Sequence, residues 1–360
     1  MKIFYLSVIE QHAGWGAEVF VNRAFVGQGH RTVTLDYRKH RHDLSRHFLA
    51  LDGDFDVLFL QRGDWFPIEL LKSVRRPRFF WASELVSRNE DQNRLLRSGL
   101  FQHIFVHSKQ CKDIVVRNGW MPEHAVSVLL NGFDESVHFA IPAAEKDIDL
   151  LFLGNLTPRR RRWLERLKAD FPVTIVNAFG SEMTQFLNRA KIVLNIHAEE
   201  YPDTETRVFE ALGCGAFLLT ETLSAENPFS DLDHLVQVED VEQMAAAISH
   251  YLEHGQQRQR IADSGHRAAL AGHTYAKRAE WLAGIFLAHA SATSAPALDR
   301  KKVAAYSVKE GVIRQLASVK RLIDASVVAK VSGGLAGARG SVGAAVKARR
   351  LAKGSGRSES

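Results

Sequence analysis

The chain has 360 residues, 46% of them hydrophobic, with only 9 Pro, which is enough apolar material for two domains with separate cores and excludes a disordered chain. The formal charge of +6 is uneven: residues 291–360 hold 14 Lys and Arg against 4 Asp and Glu, while the rest holds 33 basic and 37 acidic residues, so the body has no electrostatic case for binding nucleic acid. Two distant cysteines, Cys111 and Cys214, give no metal or disulfide spacing and suit a reducing compartment, and no run approaches the ~18 apolar residues of a membrane span.

From the start, Lys2 to Val8 reads as a strand and not as a leader peptide. A glycine loop follows with Gly14, Trp15 and Gly16, then a helical apolar face of Val19, Phe20, Ala24 and Phe25 ended by Gly27 and Gly29, then a second strand from Arg31 to Tyr37. This is a βαβ opening, and its loop reads either as a tight turn or as a phosphate contact. Phe55 to Gln61 and Arg78 to Ala82 are buried strands. Glu84 stands just past the second of these, where open α/β sheets place ligands. It is the candidate catalytic carboxylate, with a plain helix-start carboxylate as the other reading. His103 to His107 and Ala125 to Leu130 complete the half, closed by an Asn131-Gly132 turn. The sixteen histidines form no HxH or HExxH spacing, so no metal site is expected.

Ile141 to Lys146 is linker-like, and a second set of strands starts at Asp147. After Leu153 comes GNLTPRRRRWLERL, in which Gly154 makes the turn and Arg159 to Arg162 form either a solvated basic face or a phosphate clamp. Further strands are read at 173–177, 191–196, 216–220 and 235–238, separated by helices. The segment NIHAEEYPDTETRVFEALGCGAFLLTE reads as strand, loop, short helix, stop and strand, with Thr204 as the expected N-cap. Its helix would aim backbone amides near Glu205 to Arg207, Thr206 included, at a phosphate, with Glu210 able to accept a ribose diol.

RVFEALGCGAFLLTE resembles the donor-binding signature of glycosyltransferase family 4, and more closely its spore-coat-type branch, through Arg207, Phe209, Glu210, Ala211 and Gly215. GWGAE resembles the family's Gly-Gly-Ala-Glu-like loop, which implies that Gly14, Trp15 and Gly16 face the acceptor or the donor phosphates, and Asn131, Gly132, Asp134 and Phe139 match its Asn-Gly-Val-Asp close of the first domain. Gly154 fits the family's Gly-Arg, with Asn155 in place of the Arg, and Arg160 falls at the position of its Lys. The pattern departs further in two places: the family's first Glu is Pro202 here, where Glu199, Glu200 or Asp203 could stand in, and the His that many members carry near Glu84 is not obviously present. The resemblance covers residues 1 to 290. It implies a GT-B arrangement of two doubly wound Rossmann-like α/β domains facing a cleft. Residues 1–140 would form the acceptor-side domain, 141–274 the nucleotide-sugar domain, and 275–290 a helix crossing back. It further implies sugar transfer from a nucleotide-diphosphate sugar, as substrate and not cofactor, to a glycan, lipid-linked or protein acceptor in surface polysaccharide or glycoconjugate synthesis, with retention and without a metal. A catalytically silent nucleotide- or glycan-binding partner of the same fold is the alternative.

Residues 291–360 turn to Ala, Gly, Ser and Lys and read as a separable basic tail, helical over 303–328 and then disordered. Such a tail suits either plain solvation or peripheral contact of a cytoplasmic protein with anionic lipid headgroups.

Overall fold

The computed structural model describes residues 1–10, 15–51, 54–86, 90–290, 295–313 and 315. The first unit runs β1 (Lys2–Ser7), α1 (Ala17–Gly27), β2 (Arg31–Asp36), α2 (Leu44–Ala50), β3 (Val57–Gln61), α3 (Ile68–Leu71), β4 (Arg78–Ala82), α4 (Glu90–Leu96), β5 (His103–Val106), α5 (Lys109–Arg117) and β6 (Val126–Val128). The second runs β7 (Ile148–Leu153), α6 (Pro158–Lys168), β8 (Val173–Val176), α7 (Gly180–Arg189), β9 (Ala190–Asn195), α8 (Thr206–Gly213), β10 (Leu218–Glu221), β11 (Val236–Val238), α9 (Val241–Glu253) and α10 (Gly255–Gly272), followed by α11 (Tyr275–His289).

Each unit builds one sheet, ordered β2-β1-β3-β4-β5-β6 and β11-β10-β9-β7-β8, and every strand pair is parallel. Parallel strands covered on both faces must be apolar throughout, and β3 (VLFLQ) is buried at all its positions. Alternate residues serve the two faces: Phe4, Leu6, Leu58 and Leu60 enter one core with α2 and α5, while Ile3, Tyr5, Val57 and Phe59 enter another with α1 and α11. The second sheet divides likewise, Leu151 and Val193 against α8, Leu150 and Ile192 against α6 and α9.

Both sheets reverse their winding at a topological switch point, between β1 and β3 and between β7 and β9, and ligands collect at the carboxyl ends of strands flanking such a point. The chain passes between units twice, and the passages are stitched together: Phe133 N donates to His273 O at 3.3 Å and Tyr275 N to Phe133 O at 2.8 Å. A Cβ on Gly132 would stand 2.8 Å from His273 O, so only glycine permits the crossing. Beyond it α11 returns to the first sheet, with Tyr275, Leu282 and Phe286 fully buried there.

The tail departs from expectation. Residues 300–313 are helical, but the segment is no separable appendage. Ala297, Leu298 and Val303 are buried in the first core, Leu298 bridges Val74, and Ser45 N donates to the buried Glu310 carboxylate at 3.3 Å. Three apolar side chains at the right spacing outweigh a composition that otherwise favours solvent. Residues 316–360, with half of the expected 303–328 helix, lie outside the described residues. No helix among the described residues is long and apolar enough to cross a membrane.

Candidate functional site

The carboxyl ends of the two sheets face each other across a cleft of about 480 Å³, within the size range of small-ligand sites. The second unit supplies the ends of β7, α7 and α8. Gly154, at φ 142°, turns the chain out of β7 in a conformation closed to other residues. Thr157 caps α6 by accepting the Arg160 amide, with Pro158 at the first helical position. That cap sets the side chains of the arginine run. Arg159 turns inward to a two-point ion pair with Glu221 at the end of β10, and so joins strand ends. Arg161 and Arg162 are exposed. Arg160 lines the cleft, its Nε donating to Ile196 O at 2.7 Å and its Nη2 to both Glu205 oxygens at 2.8 and 3.1 Å.

Glu205, not Thr204, is the N-cap of α8. The Thr204 hydroxyl bonds Ser224 instead. The helix entry therefore carries a carboxylate beside the amides expected to meet phosphate. Burial would raise this carboxyl, but His197, 3.6 Å away, and Arg160 outweigh it and hold it below the usual range. One turn on, Arg207 Nη1 lies 2.8 Å from Glu210 Oε2. His138 stands on the other side: its Nδ1 accepts the Asp134 amide at 3.3 Å, which leaves the ring proton on Nε2, 3.8 Å from Glu210 Oε1. Burial lowers the His138 pKa despite Glu210, so the ring is neutral at pH 7.

The first unit supplies the opposite wall. Arg62, just past β3, has φ 69°, a costly conformation for a residue with a side chain. Its guanidinium bonds the buried Glu18 and reaches Glu84 at 3.4 Å. Trp15 crosses to the second unit and lies against Gly180, where a Cβ would fall 2.4 Å from the indole. Three buried polar atoms of cleft residues, Arg207 Nε, Ser83 Oγ and Tyr275 Oη, have no hydrogen-bond partner among the described residues, an arrangement that costs free energy unless a ligand completes it.

Of the residues the sequence singled out, Glu84, Gly154, Asn155, Arg160, Thr206, Arg207, Glu210, Trp15 and Gly16 all line this cleft. Gly14 lies outside the described residues. Pro202 does not line it, whereas Asp203 and Glu205 do. Arg62 and His138 were not anticipated. The signal for Arg62 was an Arg-Gly pair closing a buried strand. His138 gave no local signal, because its partner Glu210 is distant in sequence.

A family model described as glycosyl transferase-like matches residues 137–284, the second unit with its crossing helix. Among solved structures, a sucrose-phosphate synthase from Thermosynechococcus elongatus superposes with TM-score 0.61 at 12% identity, covering 80% of this chain and 98% of that one. Anabaena HepE in complex with UDP-glucose gives 0.58 at 13% identity, covering 80% and 100%. T4 phage BGT in complex with its UDP-glucose substrate gives 0.53 at 12% identity, covering 80% and 99%. The fold is GT-B. No curated protein sequence matches the chain. The GT-B arrangement makes the space between the two sheets the natural place for a ligand, and the matched segment contributes Arg160, Glu205, Arg207 and Glu210 to it.

Proposed function

We propose that the protein is a glycosyltransferase, family 4-like and nearest its spore-coat-type branch, that moves a sugar from a nucleotide-diphosphate sugar to an acceptor hydroxyl. One observation carries this reading: at the start of α8, on the cleft wall, two guanidinium–carboxylate pairs stand one turn apart beside unpartnered buried donors. Arg160 and the amides of Thr206 and Arg207 would take the diphosphate, with Glu205 giving up its place at Arg160. Glu210, steadied by Arg207 and neutral His138, would accept the ribose hydroxyls. In transfer, the acceptor oxygen bonds the anomeric carbon while the bond from that carbon to the diphosphate oxygen breaks. The departing negative charge is met by Arg160 and the helix amides, without need of a metal. Glu84 and Arg62 form the acceptor-side wall, and Glu84 is the candidate to receive the hydroxyl proton. Retention, hexosyl donors, a role in surface polysaccharide or glycoconjugate synthesis, and contact of the basic residues past 315 with the inner face of a membrane are part of the same reading.

Binding of nucleoside diphosphates and their sugars, screened by calorimetry, followed by donor hydrolysis, tests it. Binding with slow release of sugar to water supports the transferase. Binding without hydrolysis, in the presence of glycan acceptors as well, supports the silent binding protein that Pro202 at the first-Glu position favours. No binding by any donor overturns both.

A further inference from the structure

Away from the cleft, the turn between β2 and α2 brings His40, Asp43 and His47 together. One nitrogen of each imidazole and a carboxylate oxygen all lie within 4.8 Å of one another. Asp43 stands between the rings, 3.8 Å from His40 Nδ1 and 3.5 Å from His47 Nε2, and the ring centroids are 4.0 Å apart. These separations are longer than hydrogen bonds.

The backbone builds this arrangement deliberately. The Asp36 carboxylate at the end of β2 accepts the amides of Arg38 and Lys39, His40 N returns to Asp36 O, and Asp43 N to His40 O, which folds the turn tightly. Asp43 then begins α2 and places His47 one turn along the same face. An aspartate in that position normally caps its helix. Asp240 does so at α9, accepting Gln243 N at 2.7 Å. Asp43 makes no such cap. Its carboxylate faces the imidazoles instead. Of the cations on the turn, Arg38 pairs with Asp64 and Lys39 with Glu10, while Arg41 donates to a ring nitrogen of His42. A second close histidine pair, His250 and His254, also has centroids 4.0 Å apart, but its ring nitrogens are engaged by Gln257 Oε1 and the His250 carbonyl.

We infer that His40, Asp43 and His47 form a binding site for a divalent first-row transition ion, Zn²⁺ by preference of donor set, with water in the remaining positions. Zinc bonds of about 2.0–2.2 Å place tetrahedral ligand atoms roughly 3.4 Å apart; His40 Nδ1 and His47 Nε2 approach different Asp43 oxygens, Oδ1 and Oδ2, and with one atom from each residue already within 4.8 Å of the others, side-chain movement of about 1 Å closes the set. Two neutral imidazoles and one carboxylate suit zinc, nickel or cobalt better than magnesium or calcium. The site ties the edge of the first sheet to α2, and α2 also anchors the C-terminal helical segment through Ser45 and through Arg300, which donates to the Leu49 and Leu51 carbonyls. An ion bound only by the folded chain stabilises it by mass action.

The test is zinc calorimetry on the tag-free, chelator-stripped full chain, with cobalt absorption to report coordination and melting curves with and without Zn²⁺. One ion per chain is expected at a Kd of roughly 10 µM or tighter, with a melting point raised by several degrees at saturation. His47→Gln and, separately, Asp43→Asn should each weaken binding by about tenfold or more and abolish the shift. His42→Gln and His250→Gln should keep both. The ion-free melting points of all variants serve as the folding control, with His40→Gln in reserve should His47→Gln not fold. Parent binding no tighter than about 1 mM, or equal binding by the His47 or His40 variant, overturns the assignment.

Discussion

If Arg160 receives the diphosphate, Glu205 is its competitor, and removing that carboxylate should tighten nucleotide binding. Glu205→Gln keeps the shape and one acceptor oxygen but deletes the charge. In the parent, Arg160 Nη2 contacts both Glu205 oxygens at 2.8 and 3.1 Å, with the side chains 11% and 25% exposed. Breaking such a charged hydrogen bond to admit phosphate costs ~1.5–3 kcal/mol. A phosphate on the α8 amides would also stand near the carboxylate, and a separation of about 5 Å at an effective dielectric of 20 gives ~3 kcal/mol of repulsion. Glutamine retains part of the first contact and none of the second, so a net gain of ~1.5–3 kcal/mol follows, roughly one to two decades in Kd. Calorimetry with UDP and with uridine is the assay. UDP should gain and uridine should not, the gain should shrink with added salt, and Arg160→Ala should move UDP in the opposite direction. An unchanged or weaker UDP affinity in Glu205→Gln, at parental melting temperature, would refute the placement of phosphate at the α8 entry.

Two further outcomes follow from packing and titration. Truncation after residue 290 removes Ala297, Leu298 and Val303 from the first core, and at ~1.5–3 kcal/mol for each larger apolar side chain it should lower the melting point sharply. Truncation after 315 keeps those three side chains and should melt well above truncation after 290, and equal melting points for the two truncations would contradict the described packing. Burial, with His289 nearby, pulls the His103 pKa down to about 4, and burial with Arg278 does the same to His273. Their unfolded value is about 6.5, so between those limits the unfolded chain binds more protons. Stability is then fully present above pH 6.5 and falls as the pH drops toward 4, by at most about 1.4 kcal/mol per pH unit for the more buried His103. His103→Gln should flatten that slope in pH-dependent melting curves. An unaltered slope would show that His103 does not titrate on unfolding.

Much of the fold was legible because parallel strands covered on both faces leave plain apolar runs, as in VLFLQ and RFFWA. Short elements were not legible: α3 has four residues and α2 and α4 seven each, too few turns for a period to emerge. The lining of the cleft was legible where one local motif supplied it, as at Glu210 and Arg160. It was hidden where partners meet only in space. His138 acquires meaning from Glu210, Arg62 from Glu18, and His40 from Asp43 and His47 once the turn closes. At the α8 cap, propensity favoured Thr204, but its hydroxyl bonds the distant Ser224 and the helix starts one residue later, at Glu205. In the tail, overall composition hid the few apolar positions that dock.

The most direct measurement of the central claim is the affinity of the parent and of Glu210→Gln for UDP and for 2′-deoxy-UDP, or for the matching pair of whichever base binds the parent tightest. The parent should prefer the ribonucleotide. Loss of the Glu210 charge should cost the ribonucleotide ~1.5–3 kcal/mol, roughly tenfold or more in Kd, and should cost the deoxy analogue distinctly less. Equal affinity of the two proteins for both ligands would place the nucleotide elsewhere than at Glu210.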